Sequence, residues 1–475
     1  MGSQFPSRTH TLAVWELTLA CNLRCSHCGS AAGRPRGDEL STDEALAVVE
    51  RLVARGIREV TLIGGEATLR PDWEIIARAI VAGGLQLTLQ TGGYHIDAAM
   101  AERIAATGVL SVGVSLDGDA SVHDALRGRP ESFSKGLQAL RHLRDAGVSR
   151  LGVNTQINRH NWQTIPALFD VLVDQGVHGW MLMPTIPMGA ALRDQELCLQ
   201  PHDFEALHEL MAILATAGSA HGLAVFASNA MGYFGPYERL MRDPGTAGFH
   251  YGGCPAGVGA LGLEADGTVK GCPSLPTELY GTGHVLADGL EQLDRLLHQE
   301  PRTTAAGTDN PYRPRVEGFC LRCPFACICR GGCTWAATAI QGQRGDNPYC
   351  MFRSIALHAR GEHEVMTLVD PGGMGPFAIG ELAVERHGGD PRLSPPPSGA
   401  SIDLDAIDWP ERLAGVASSF RQRRPAVRDA VDSVLRRHQA FSLLQGRQGV
   451  RSLLAEMEAI AMNTPAAASA ISNGV

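Results

Sequence analysis

The run Leu12-Ala-Val-Trp-Glu-Leu-Thr-Leu19-Ala-Cys21-Asn-Leu-Arg-Cys25-Ser-His-Cys28 decides how this chain is read. Leu12 to Leu19 is a predominantly apolar, strand-like stretch. Directly after it come three cysteines spaced C-x3-C-x2-C. Three thiolates on one short loop can wrap one cubane iron-sulfur cluster. A [4Fe-4S] cluster normally takes four cysteine ligands, so three leave one iron with a position open to something that is not protein. A zinc knot is the competing reading. Zinc sites use paired knuckles and four ligands, however, and no fourth ligand lies close in sequence.

Further stretches follow in order. Val60-Thr-Leu-Ile-Gly64-Gly65-Glu66 reads as a strand entering a tight turn, where two glycines permit a backbone path closed to residues with a Cβ. Val112-Gly-Val-Ser115-Leu-Asp117-Gly118 reads likewise, and Val122-His123-Asp124-Ala-Leu-Arg127-Gly128 comes next. His123 and Asp124 there have a plain use in helix capping and packing. A second cysteine set comprises Cys254, then Gly267-x4-Cys272, then Cys320-x2-Cys323-x5-Cys329-x3-Cys333, and last Cys350. Leu261 to Lys270 is two short strands joined by Asp266-Gly267, a hairpin signal that carries Cys272 at its end. A zinc ribbon would not need seven cysteines. Of the twelve cysteines only Cys198 and Cys327 fall outside the two sets, and a buried inert thiol is the default for each.

Together these motifs resemble the radical S-adenosylmethionine (radical SAM) superfamily, and the second cysteine set resembles its SPASM subfamily. The resemblance implies a partial (β/α)6 barrel with Cys21, Cys25 and Cys28 on the loop after the first strand, holding a catalytic [4Fe-4S] cluster whose open iron chelates SAM. It implies reductive cleavage of SAM and hydrogen abstraction from the substrate by a 5′-deoxyadenosyl radical. Gly64, Gly65 and Glu66 would meet the methionine amino group, and Ser115 and Arg127 the ribose and carboxylate, with Asp117 in the same cofactor-binding set. Cys320, Cys323, Cys329 and Cys350 would hold one auxiliary [4Fe-4S] cluster, and Cys254, Cys272 and Cys333 a second, three clusters in all. His27 stands where the family usually has an aromatic residue, and Ala67 where it usually has proline. Relatives with a fully ligated first auxiliary cluster carry another cysteine soon after the first; here Pro-Ala-Gly-Val-Gly-Ala follows Cys254. Either that cluster keeps an open iron or Cys327 or Cys198 completes it.

The chain has a βα rhythm. Strand-like segments near 11–19, 58–64, 85–91, 110–117, 151–158 and 179–184 alternate with helical periodicity at 43–55, 72–83, 97–107, 134–147 and 163–175. That alternation predicts an α/β fold with a parallel sheet, and working groups on loops at the strands' C-terminal ends. The expected organisation is a barrel over 1–200, a linking helix and connection over 201–253, and a small cysteine-rich SPASM domain over 254–355. A Gly/Pro-rich linker over 356–410, a helical C-terminal extension over 411–463 and a disordered tail over 464–475 complete it.

At 475 residues the chain can hold two or three domains. Cysteines used for clusters need a reducing compartment, and neither a signal peptide nor a membrane-length apolar run is read, so a cytoplasmic, membrane-free protein is expected. A net charge of −9 without basic stretches argues against a nucleic-acid substrate. The expectation from the resemblance is an oxidoreductase that matures a peptide or protein by crosslink, thioether or epimerisation, with flavodoxin or ferredoxin as electron donor. Sulfatase maturases resemble the chain least, because Pro273 stands where they carry an aspartate base. Recognition of a leader segment would fall to the C-terminal region or to a separate protein. The alternative is a small-molecule substrate, such as a sugar or cofactor precursor. A third reading, a scaffold without SAM chemistry, fits poorly with the intact Cys21, Cys25, Cys28 and Gly64 to Glu66.

Overall fold

The computed structural model describes residues 11–233, 251, 253–298, 312, 316–323, 325–358, 360–373 and 375–389. Strands and helices alternate as β1 (Leu12–Glu16), α1 (Thr42–Ala54), β2 (Glu59–Ile63), α2 (Trp73–Ala82), β3 (Gln86–Thr91), α3 (Ala98–Ala106) and β4 (Ser111–Ser115). Two helices, α4 (Ala120–Arg127) and α5 (Ser132–Asp145), then lead to β5 (Arg150–Ile157), α6 (Ile165–Asp174), β6 (Gly179–Pro184), α7 (Phe204–Ala220) and β7 (Ala224–Ala227). The strands pair in parallel in the order β7-β6-β5-β4-β3-β2-β1.

Local chemistry explains the elements. α1 starts at Ser41, whose side chain accepts from the Glu44 amide while Glu44 reaches back to Ser41, a capping box. Its buried residues Ala45, Val48, Val49 and Leu52 recur at helical spacing and face the sheet. β2 buries Val60, Thr61 and Leu62 in succession, as a strand covered on both faces must. In β5 burial alternates: Leu151, Val153, Thr155 and Ile157 are buried, whereas Asn154 and Gln156 turn to a more open side.

The cysteine-rich region begins as an extension of this sheet. β8 (Ala260–Leu263) and β9 (Val269–Lys270) form the hairpin expected around Asp266-Gly267. In addition β8 lies parallel to β1, pairing Leu12 with Ala260 and Trp15 with Leu263. It thereby satisfies the backbone groups that would otherwise leave β1 an open edge. Short helices at Cys320–Arg322, Ala326–Cys329, Thr334–Gln341 and Met351–His358 follow.

The stretch 356–410, expected to be linker, contains a regular hairpin of β10 (Glu362–Asp370) and β11 (Glu381–Gly388). The free edge of β10 is satisfied by a side chain: Gln200 Nε2 donates to the Met366 carbonyl, and the Met366 amide donates to Gln200 Oε1. One glutamine thus does the work of a neighbouring strand there. The helical extension at 411–463 and the tail at 464–475 lie outside the described residues. Among the described residues no helix is long and apolar enough to cross a membrane.

Candidate active site

The loop after β1 is held from three sides. Arg24 and Ser26 donate their amides to the Arg127 and Leu126 carbonyls at the C-terminal end of α4, at 3.0 and 2.8 Å. The Ala190 amide donates to the Cys28 carbonyl at 2.9 Å. On the third side lie Gly64 and Gly65, where the Gly65 amide donates to the Thr18 carbonyl and the Glu66 amide to the Ala20 carbonyl. A Cβ on Gly64 would sit 2.4 Å from the Thr18 carbonyl oxygen, and one on Gly65 2.3 Å from that of Ala20. Close approach, rather than a left-handed backbone, is why glycine stands at both positions.

Glu66 is fixed behind this contact. One carboxylate oxygen accepts from Thr91 and Thr68 hydroxyls at 2.7 and 3.1 Å, and the other from the Gly92 amide at 2.9 Å. Because the Thr68 proton goes to Glu66, its oxygen must accept from His95 Nε2–H, which leaves His95 Nδ1 to accept from Asn22 on the cysteine loop. The Gly-Gly-Glu segment and the cysteine loop are therefore one hydrogen-bonded unit.

Asp117 is fully buried at the C-terminal end of β4. Its carboxylate pairs with Arg127 Nη2 at 2.6 Å and lies 3.3 Å from His27 Nε2, while its other oxygen accepts from the Gln156 amide. Burial pushes the Asp117 carboxyl up, but the Arg127 guanidinium and His27 outweigh it and hold it far below the usual carboxylate range. Arg127 in turn approaches the Cys25 thiol to 3.7 Å. His123, pushed down to about 4 by burial and by Arg127, is neutral and accepts the Asp117 amide at Nδ1. Asp124 accepts from the amides of Glu131 and Phe133 and from the Ser132 hydroxyl, and so starts α5.

A cavity of about 490 Å³ opens at this end of the sheet. Cys21, Cys25 and Cys28 border it, as do Gly64, Gly65, Glu66, Ser115 and Arg127. Asp117 does not: it lies behind Arg127 and His27, both of which line the cavity, and acts on it through them. Cys254, Cys272 and Cys333, distant in sequence, border the same cavity. The Cys333 amide donates to the Tyr233 hydroxyl at 2.6 Å. Cys320, Cys323, Cys329 and Cys350 surround a second, smaller cavity walled by Tyr233, Phe319 and Phe352. Tyr233 thus meets the backbone of Cys333 on one side and the Cys350 thiol on the other. Cys198 is buried in the core. Cys327 lies in the helix Ala326–Cys329, and its side chain lies outside the described residues.

Several residues at the site escape sequence reasoning. Met188, Trp335 and Phe377 border the main cavity, and none belongs to a spaced motif. Beneath it runs a buried charged network. Arg36 bridges Glu16 at 3.2 Å and Glu264 at 2.7 Å, and Lys270 Nζ pairs with Glu264 at 2.6 Å and donates to the Pro273 and Leu275 carbonyls just after Cys272. The only signal in sequence is a charged residue inside an otherwise apolar strand, as at Glu16. Burial pushes the Glu16 carboxyl up to about 7, against the pull of Arg36.

The Radical SAM superfamily profile matches residues 15–172. The chain is 34% identical over 366 residues to the Fe-coproporphyrin III synthase of Methanosarcina barkeri (strain Fusaro / DSM 804), spanning 73% of this chain and 89% of that protein. The chain belongs to the radical SAM superfamily. The mycofactocin maturase MftC of Mycobacterium tuberculosis (strain ATCC 25618 / H37Rv) is 31% identical over 340 residues, or 70% of this chain and 81% of that protein. Among solved structures, Streptococcus suis SuiB bound to precursor peptide SuiA superposes with a TM-score of 0.57 at 16% identity, over 72% of this chain and 76% of that one. Native anSMEcpe with bound AdoMet gives 0.56 at 18% identity, over 73% and 94%. These two share the fold.

This radical SAM enzyme uses SAM and a [4Fe-4S] cluster, and the cavity fits both. Three thiols on one loop match a three-ligand cluster. Burial pushes the Cys21 thiol up to about 11 and Cys25 up to about 12, so iron binding there would displace protons. Arg127 Nε and His27 Nδ1 are buried without a hydrogen-bond partner among the described residues, as expected beside a polar ligand.

Proposed function

We propose that this protein is a radical SAM/SPASM maturase that abstracts a hydrogen from a residue of a peptide or protein, with two auxiliary [4Fe-4S] clusters beside the catalytic one. The observation that carries this reading is the shared cavity: Cys21, Cys25 and Cys28 face the same space as Cys254, Cys272 and Cys333. A substrate in that space would lie between a radical source and a second metal centre. SAM and a reduced cluster held there would supply a carbon-centred radical able to remove a substrate hydrogen.

The remaining roles fall to the chain. Cys21, Cys25 and Cys28 hold the catalytic cluster. Gly64, Gly65 and Glu66 with Ser115 and Arg127 hold SAM, the two glycines by letting the turn lie against the cluster loop. Asp117 fixes Arg127. Cys320, Cys323, Cys329 and Cys350 hold the outer auxiliary cluster, and Cys254, Cys272 and Cys333 the inner one, whose three thiols leave one iron open. The likeness to MftC, and to SuiB in complex with its precursor peptide, supports a peptide substrate. An external one-electron donor of the flavodoxin or ferredoxin kind is required.

Co-expression with candidate short peptides followed by mass spectrometry tests this directly. A mass change that depends on Cys21, Cys25 and Cys28 is expected, and its absence across all peptides tested would count against the reading. The likeness to Fe-coproporphyrin III synthase supports a second reading, a cofactor-precursor substrate. Consumption of a porphyrin precursor, followed by absorbance, would establish that one instead.

A further inference from the structure

The segment between β10 and β11 belongs to the active-site wall, although its sequence, Pro371-Gly-Gly-Met-Gly-Pro-Phe377, has the composition of a linker. Three contacts pin it. The Phe377 amide donates to the Gly29 carbonyl beside Cys28 at 3.1 Å, the Gly189 amide donates to the Ala378 carbonyl at 2.8 Å, and Met188 bridges Ile379. Gly189 has φ +60°, and a Cβ there would sit 2.3 Å from the Gly29 carbonyl oxygen, so the three segments meet only because this residue is glycine. Phe377 itself has φ +57°. An aromatic residue in the left-handed region is strained and persists where its surroundings over-determine it.

The strained residue places its ring against the cavity and 3.7 Å from Lys270 Nζ, a cation-π contact. Lys270 is fully buried and its ammonium is engaged by Glu264 and two carbonyls, so it gives the cavity no charge. Trp335 directs its single donor, Nε1, at Met188 Sδ (3.4 Å). Phe377, Trp335 and Met188 therefore form a wall with no free hydrogen-bonding group. The walls supplied by β3, β4 and β5 are polar, with Gln90, Ser115 and Gln156. The apolar wall is joined to the Cys28 loop through Gly29 and to the Cys272 loop through Lys270.

We propose that Phe377, Trp335 and Met188 form the seat for an apolar side chain of the substrate, aliphatic or aromatic, and that Phe377 is a specificity-determining residue. This deepens, and rests on, the reading of the cavity as peptide-modifying. The test uses reconstituted enzyme, SAM and dithionite, which supplies the one electron that SAM cleavage consumes. The probes are capped Gly-X-Gly tripeptides with X a perdeuterated Leu, Phe, Ser or Gln, together with perdeuterated 4-methylpentanamide, an apolar non-peptide. Deuterium would pass as an atom from probe carbon to the 5′ carbon, one C–D bond breaking as the other forms. A second electron from dithionite with a solvent proton would close the carbon radical left on the probe. Mass spectrometry of 5′-deoxyadenosine thus reports which side chain reaches the reacting centre. Equilibrium dialysis reports probe affinity.

The Leu and Phe probes should label about tenfold more than Ser and Gln. Phe377→Ala should reduce both labelling and affinity about tenfold, and Phe377→Leu should restore most of each. Iron content reports folding; if Phe377→Ala loses iron, Trp335→Ala is the deciding variant. Equal labelling by polar probes, labelling by none, or an iron-replete Phe377→Ala that behaves as wild type would each overturn the seat. Labelling by 4-methylpentanamide alone, abolished in the variant, would keep the seat and remove the peptide reading.

Discussion

Asp117 lies one layer behind the cavity and forms a buried ion pair with Arg127, which borders it, and the pair is worth most when intact. Removing one charge from such a pair leaves the other buried and uncompensated, at a cost of about 3–5 kcal/mol. Asp117→Asn keeps the shape and removes the charge, so we expect a lower melting temperature and weaker SAM binding by equilibrium dialysis. An unchanged melting temperature would show that Arg127 finds its compensation elsewhere. Gly65→Ala tests the opposite kind of constraint. Its methyl group would press on the Ala20 carbonyl, an overpacking of about 1–3 kcal/mol that should displace the cysteine loop and lower iron retention. Glu16 supplies a pH effect. Its carboxyl titrates near 7 in the fold against an ordinary 4.5, with Arg36, Glu264 and Lys270 facing it. A raised acid favours the folded state while protonated, so its contribution is full below about 4.5 and is lost as pH rises through 7, by about 3 kcal/mol. The stability of wild type relative to Glu16→Gln, followed by anaerobic thermal melts, should therefore fall between those limits; a flat difference would assign the titration to another group.

At the scale of elements, the six central strands and their helices were legible because hydrophobic period reports secondary structure locally. β1, β2, β3, β4, β5 and β6 lie within a few residues of their expected positions. Pairing is a different matter. Nothing in Ala260 to Leu263 states that this strand will lie beside β1, since period carries no partner label. The hairpin of β10 and β11 was missed for a related reason. Glu362, His363 and Glu364 break the apolar pattern, yet they are held by specific partners such as Arg353, which pairs with Glu364 at 2.7 Å. α4 was missed because a short helix of mixed composition has little period to show. The cysteines stood out because most of them fall in closely spaced runs, Cys21 to Cys28 and Cys320 to Cys333, whereas Phe377, Trp335 and Met188 come from three distant segments with no spacing to link them. The role of Asp117 was partly legible: position marked it, but position alone cannot say whether a carboxylate meets a ligand or an arginine.

For the whole molecule, the proposed ligand sets predict roughly 12 iron atoms per chain after anaerobic reconstitution. Replacing Cys21, Cys25 and Cys28 together with Ala should remove about a third of that iron and abolish 5′-deoxyadenosine formation, while Cys327→Ala leaves the count unchanged. A wild-type count of about four, or zinc in place of iron, would remove the auxiliary assignment. The parallel pairing of β8 with β1 has a consequence for biosynthesis. Thr11 and Gly259, which meet at the start of this pairing, are 248 residues apart. At typical elongation rates the ribosome needs roughly 10–50 s to make that stretch. For that time this edge of β1, which leads straight into the thiol loop, has no partner strand. The edge beside the thiol loop is thus closed only by the late arrival of a single four-residue strand.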